Sequence, residues 1–310
     1  MLLLANFFWG LSFPVIKAIT FLHAKLVPAA GPWFSTVYTV APRFGLAVVF
    51  MALWYRDRLR RPTGKEVRQG LWLGFFAAGG MLLQNDGLQF TTASTSAFLT
   101  QLYAVMIPIW IAFRQRQHPG RRVWLSCALV LVGAAILSRF DVRHVRLGRG
   151  EWETIASSFF FMGQILWLEN RSFAGNRSLH VTFIMFATEA AIFLLCTALL
   201  RPSPATLLTP WTSPSWLALT LLLTFFCTFA AFSLMNAWQP KISATEAGLV
   251  YCVEPIFASL LALFLPAWFS AWAGVSYANE HLTWTLLVGG GLITLANLVI
   301  QLRRPNGRST

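Results

Sequence analysis

Acidic side chains are scarce in this sequence: Asp and Glu together supply 11 of 310 residues, against 24 Lys and Arg. Charge of either sign amounts to 11% of the chain, too little to clothe the surface of a soluble domain. The net charge of +13 raises nucleic acid as a partner. The cations, however, gather in short runs between apolar stretches, at "RDRLRRPTGKEVR" (56–68), "RQRQHPGRR" (114–122) and "RRPNGR" (303–308), so no nucleic-acid partner is expected. Cysteine and histidine are few. Cys127, Cys196, Cys227 and Cys252 lie inside apolar stretches without metal-like spacing, which excludes a disulfide framework and a zinc site. His23, His118, His144, His180 and His281 fall between those stretches or at their ends, and HExxH, GxSxG and P-loop patterns are missing. An enzyme needs a constellation of nucleophile, base or metal ligands; none is legible, and no cofactor or metal is expected. Long polar loops are absent too, which weighs against a receptor or scaffold. An integral-membrane enzyme or receptor without transport activity is kept as the alternative reading.

What the chain has in quantity is apolar length: 56% of its residues are hydrophobic. Roughly 20 mainly apolar residues cross the hydrocarbon core of a bilayer, and ten such segments fit, at 1–21, 32–55, 70–90, 92–113, 123–138, 152–170, 180–200, 214–236, 244–266 and 283–302. A backbone in lipid must satisfy its own hydrogen bonds, so segments of this length are expected to be α-helices. The first lacks a basic start and a small-residue cleavage site, and its "WGLSFPVIK" is polar within the span, so it reads as a mature helix and not a signal peptide. With an internal N-terminus, 16 Lys and Arg fall inside and 6 outside, with Lys17 and Arg43 in the membrane. That is the positive-inside bias. It predicts cytoplasmic termini, against the dissent of the basic loop "RFDVRHVRLGR" (139–149).

The chain repeats itself. "QFTTASTSAFL" (89–99) aligns without gaps to "QPKISATEAGL" (239–249), and "LVLVGAAIL" (129–137) is similar in character to "LLVGGGLITLA" (286–296). A proline follows in each next helix, Pro108 and Pro255, three positions out of register. Five spans per half is an odd number, so the halves run in opposite senses through the membrane. The predicted fold class is an all-α integral membrane protein of ten transmembrane helices in two inverted five-helix repeats: 1–138, a basic linker 139–151, 152–302, and a basic tail 303–310. Inverted repeats place a substrate site near the midplane, where either half gates it.

Five stretches in order, "FFWGLSFPVIKA" (7–18), the Arg43-Phe44 pair, "GLQFTTASTSAFLTQLYAVMIPIW" (87–110), "ATEAGLVYCVEPIFASLLALF" (244–264) and "EHLT" (280–283), give the chain its family character. In them it resembles the EamA branch of the drug/metabolite transporter superfamily over essentially its whole length. The resemblance implies two inverted EamA repeats in a bacterial inner membrane, exporting or exchanging small metabolites such as amino acids or drugs. One departure stands out. The family runs through a short "GE" turn into the last helix, whereas "PAWFSAWAGVSYAN" (266–279) intervenes here, with Trp268, Phe269 and Trp272 expected along the outer interface.

Ionisable groups inside a span are costly and mark function by default. Asp86 lies level with Lys17 and near Arg43, so it is expected to pair with one of them, either to bind a zwitterionic substrate or to pin helices together; Lys17 also has the option of snorkelling to the surface. Glu189 is central in its span with no cation in the same segment. It is either a proton-coupling carboxyl or a neutral acid bonded to a neighbouring helix. Glu254 stands before Pro255, where a mid-helix proline opens the backbone; Pro108 is the equivalent gating candidate in the fourth span. Glu246 reads as solvated. Trp9, Asn85, Gln101, Tyr103, Gln164, Trp167, Asn236 and Tyr251 complete the substrate-binding candidates as a cavity of aromatic and amide groups, about half of them expected to line it. The glycines at 79, 80 and 289–291 read as packing positions.

Overall fold

The computed structural model describes residues 1–116, 120–137 and 147–301. Residues 139–146 of the expected linker, His118, His144 and the 303–310 tail lie outside the described residues. The helices, in chain order, are α1 (Leu2–Leu26), α2 (Pro32–Trp54), α3 (Gly64–Phe90), α4 (Ala93–Thr100), α5 (Tyr103–Arg114), α6 (Arg121–Leu137), α7 (Arg149–Leu168), α8 (Ser178–Leu200), the one-turn α9 (Ala205–Leu208), α10 (Pro214–Leu222), α11 (Ala231–Trp238), α12 (Ala244–Tyr251), α13 (Glu254–Ala262), α14 (Leu265–Ala273) and α15 (Trp284–Gln301). Between α10 and α11 the backbone continues as a π-helix over Leu223–Ala230. No strand occurs among the described residues.

Within the described residues each of the ten apolar segments falls largely on helix, though not all are equally apolar. Among the described residues, five stretches are long and apolar enough to cross a membrane: Leu2–Leu26, Pro32–Trp54, Ala93–Arg114, Ser178–Leu200 and Pro214–Lys241. A sixth appears if α13 and α14, bent by 52°, are taken together. The polar "QND" of α3 and the charged first turn of α7 keep those two helices out of the group. The protein is a multi-pass membrane protein. Its outer face carries exposed Leu53, Phe113, Leu199 and Trp284, apolar surface that lipid covers.

Small residues set the helix crossings. Lipid supplies little hydrophobic drive between helices, so association depends on close van der Waals fit. On α3, Gly79 and Gly80 face the Phe160 and Phe161 rings of α7, while Gly163 returns the favour by facing Phe76; a methyl on any of the three would overlap the ring. Of the 289–291 triplet, Gly290 faces Phe98 and the Gly289 carbonyl meets Gly133, whereas Gly291 stands in open space.

Two of the helices are broken at corresponding places. α4 and α12 are each eight residues long, and α5 and α13 each begin after a two-residue interruption, at Gln101–Leu102 and Cys252–Val253. The offset between these features is 151 residues throughout, one more than the sequence match implies. The N-caps keep that offset: Thr92 Oγ1 accepts from Thr95 N, and Ser243 Oγ accepts from Glu246 N. At both breaks the hydrogen bonds tighten to the three-residue pattern, Leu102 N to Leu99 O and Val253 N to Val250 O. Pro255 sits in the first turn of α13, as a helix-opening proline should. Pro108 departs from expectation: α5 runs on through it, and the interruption lies six residues earlier.

The insertion splits in two. α14 covers 265–273 and an irregular stretch follows to α15. Trp268 and Trp272 are exposed and stack at 5.8 Å, whereas Phe269 turns inward and is buried. Only two of the three rings are thus available to an interface.

The end of the bundle that carries residues 55–63 and 169–177 is tied by Glu66. Its carboxylate accepts from Thr63 N at 2.8 Å, closing a capping box on α3, and from Arg177 N, Nε and Nη2 at 3.0, 2.8 and 2.9 Å. Arg177 holds this carboxyl well below its ordinary value of 4.5. A depressed carboxyl contributes stability that is complete above its unfolded value and lost as pH falls through the folded one. Glu66→Gln is therefore expected to lower thermal stability by about 2 kcal/mol at pH 7. The gap from wild type should close as melting is repeated below pH 4.5; a gap that widens with acid would contradict the ion-pair origin.

Candidate functional site

A central cavity of about 60 Å³ lies at the level of the two helix breaks. Thr100 and Tyr103 bracket the first break and Tyr251 and Glu254 the second, so the interrupted helices supply facing walls. α1 adds Trp9, Ser12 and Phe13; α3 adds Met81 and Gln84; α7 adds Phe161, Gln164 and Ile165; α11 adds Phe232 and Met235. Interrupted helices expose backbone polarity where it borders a cavity, which is where membrane proteins tolerate it.

Aromatic rings dominate the wall. Trp9 meets Phe232 at 5.3 Å and Tyr251 at 5.4 Å, both edge-on. Most polar lining groups are already engaged: Gln84 Nε2 donates to Thr100 Oγ1 at 3.0 Å, and Tyr251 Oη donates to Gln239 Oε1 at 2.9 Å, whose amide in turn donates to Ile165 O at 3.0 Å. Three groups are not. Trp9 Nε1 and Gln164 Nε2 are buried donors without a partner, and the Glu254 carboxylate, 6% exposed, takes no hydrogen bond from any described residue.

The sequence candidates separate by place. Trp9, Tyr103, Gln164, Tyr251 and Glu254 converge on this cavity. Asn85 stands behind Met81, donating to its carbonyl at 2.8 Å, and Gln101 is buried in the first break with both amide atoms unpartnered. Trp167 packs against Trp72 and Phe173. Asn236 donates to Thr182 Oγ1 at 2.9 Å and borders a second cavity near Asn170 and Asn176. Met81, Gln84, Thr100, Phe161, Phe232 and Met235 line the main cavity unannounced by the sequence. Only Gln84, beside Asn85 and Asp86, carried a signal.

Asp86 pairs with neither Lys17 nor Arg43. Its carboxylate takes an ion pair from Arg149 at the start of α7 and a hydrogen bond from Thr36 Oγ1 at 2.9 Å, with Gln89 at 3.3 Å. The Arg149 guanidinium also lies over the Trp33 and Phe90 rings and reaches Glu153 at 2.8 Å. α2, α3 and α7 are thereby bolted together at the 91–92 end of the bundle. Beside the bolt, Lys17 Nζ donates to Thr91 O, and Glu280 caps α4 by accepting from Ala93 N at 2.8 Å.

Arg43 and Glu189 are both fully buried. Arg43 Nε donates to Thr228 Oγ1 and Nη2 to Cys227 O at 2.9 Å, both acceptors standing in the π-helix, whose shifted bonding turns that carbonyl toward it. Nη1 points at Met81 Sδ, 3.9 Å away, so the Met81 side chain lies between the guanidinium and the cavity it lines. Glu189 lies within electrostatic reach of Arg43, yet neither of its oxygens has a hydrogen-bond partner.

Residues 1–139 match the EamA-like transporter family. An uncharacterized transporter of Archaeoglobus fulgidus is 27% identical over 305 residues, covering 97% of this chain and 85% of its own. A crystal structure of a protein shares the fold at a TM-score of 0.59 and 19% identity, over 96% of each chain. With a family match on its first 139 residues and a similarity to a transporter along most of its length, the chain resembles EamA-like transporters and is a membrane transporter.

Proposed function

We propose that the chain is a secondary transporter that moves small metabolites across a cytoplasmic membrane by alternating access around the central cavity, with both termini cytoplasmic and export the expected direction. The observation that carries this is the pair of interrupted helices, α4–α5 and α12–α13, facing each other across the cavity at a constant offset of 151 residues. Packing supports two inverted halves, 1–138 and 152–302. α1 lies on α13 as α7 lies on α5, and α7 lies on α4 as α1 lies on α12; α3 lies on α7 and α8 as the α10–α11 rod lies on α1 and α2. These contacts between the halves come in mates, the pattern of a pseudo-two-fold axis. In this reading the 91–92 end is external and closed by the Arg149–Asp86 bolt, and Glu254, Tyr103, Trp9 and Gln164 contact substrate.

Uptake into liposomes holding the purified protein tests the reading. A panel of labelled metabolites, with and without a pH gradient, should contain solutes that accumulate above protein-free liposomes. A protein that moves none of a broad panel, in either direction, is not this transporter.

A further inference from the structure

Resting on that reading and deepening it, we infer that the central cavity selects organic cations with an apolar or aromatic body, Glu254 supplying the counter-charge, and rejects zwitterionic amino acids. Among the residues that line the cavity, Glu254 is the one with a carboxyl group, and none carries a cationic group. It is nine-tenths buried and unpaired, and its surroundings are the rings of Trp9, Tyr103, Tyr251 and Phe232 with the thioethers of Met81 and Met235. A buried carboxylate without a partner is costly. A cation entering beside it removes that cost, and aromatic faces add their own attraction to positive charge. Glu254 also lies within electrostatic reach of the Tyr103 and Tyr251 hydroxyls, so the negative end of the cavity is where the two helix breaks meet.

A zwitterion needs in addition a cationic receptor for its carboxylate. The two cations inside the spans are both committed elsewhere: Lys17 holds Thr91 O at the 91–92 end, and Arg43 is bonded to Thr228 and Cys227 behind Met81. The buried donors without a partner on the wall, among the described residues, are the neutral Trp9 Nε1 and Gln164 Nε2. They are placed to orient a ligand, not to balance a second charge.

Calorimetric titration of the purified full-length protein in nanodiscs tests this with three ligands of similar size: benzyltrimethylammonium, its uncharged carbon isostere 2,2-dimethylpropylbenzene, and phenylalanine. The cation is expected to bind at least tenfold more tightly than either other ligand. Glu254→Gln should reduce cation affinity at least tenfold, and Glu254→Asp should retain most of it. Phenylalanine binding as well as or better than the cation would overturn the inference on the wild-type protein alone, with no variant required to fold. So would a Glu254→Gln protein of unchanged melting temperature that binds the cation as wild type does. Failure of transport itself is distinguishable: cation binding without uptake of any solute would leave the site chemistry standing and sink the transporter reading.

Discussion

Gly10→Val is expected to leave little folded transporter. Gly10 is where α1 crosses α13, and a Cβ there would stand 2.7 Å from Phe257 Cβ, 2.9 Å from Ala258 N and 3.0 Å from Glu254 O. These neighbours are backbone or backbone-adjacent atoms, so no rotamer change relieves the overlap and the helices must separate. Overpacking of this kind costs about 1 to 3 kcal/mol for added methylenes in soluble cores. At Gly10 the displacement falls on the first turn of α13, which carries Glu254 on the cavity wall. Gly10→Ala is expected to lower the melting temperature and weaken uptake, and Gly10→Val to abolish uptake. Gly45, midway along α2, is the control: a Cβ there has nothing within 4 Å, so Gly45→Ala should be neutral or stabilise by up to ~1 kcal/mol through helix propensity. Equal effects at the two glycines would mean that backbone flexibility, and not the close crossing, is what Gly10 provides.

The helices were legible because apolar length and short connections are written directly in the residues. Broken helices were half legible. Pro255 announces the second break, but the first occurs at Gln101–Leu102, where no residue type marks it and the facing half determines it. Of the candidates, Trp9, Tyr103, Gln164, Tyr251 and Glu254 reach the cavity, and each is a polar or amphipathic side chain that stands out in an apolar span. Met81, Phe161 and Phe232 were not legible, since a Met or Phe in a span faces lipid, core or cavity according to rotation about its helix alone. Asp86 was assigned the wrong partner for a related reason. Depth along a helix limits which cations are level with it, but Arg149 was counted into a basic loop, and only the folded chain shows that it opens α7 instead.

Glu189→Gln is expected to uncouple transport from the proton gradient while sparing exchange of substrate. We propose that Glu189 carries the coupled proton; it sits opposite Arg43 in α2, fully buried, with no hydrogen-bond partner for either oxygen. The two members of this couple are unlike. A guanidinium remains charged throughout, whereas a carboxyl can gain or lose a proton, so Glu189 is the member whose charge can change during a cycle. Arg43 is also the better anchored, by Thr228, Cys227 and the Phe44 ring at 5.4 Å. Its charge therefore stays in place and senses the state of Glu189, and Met81 relays its position to the cavity wall. The glutamine variant keeps the shape and loses the titration. Accumulation against a gradient should become insensitive to an imposed pH difference, and counterflow of labelled against unlabelled substrate should persist. Removing the partner acts differently: Glu189→Leu strands a buried cation at a cost of about 3 to 5 kcal/mol, while the double replacement Arg43→Leu with Glu189→Leu should recover most of that stability and transport nothing against a gradient. A Glu189→Gln protein that still concentrates substrate in response to a pH difference would assign the proton elsewhere, with Glu254 as the next carboxyl to test, and would leave Glu189 the role of holding α8 beside α2.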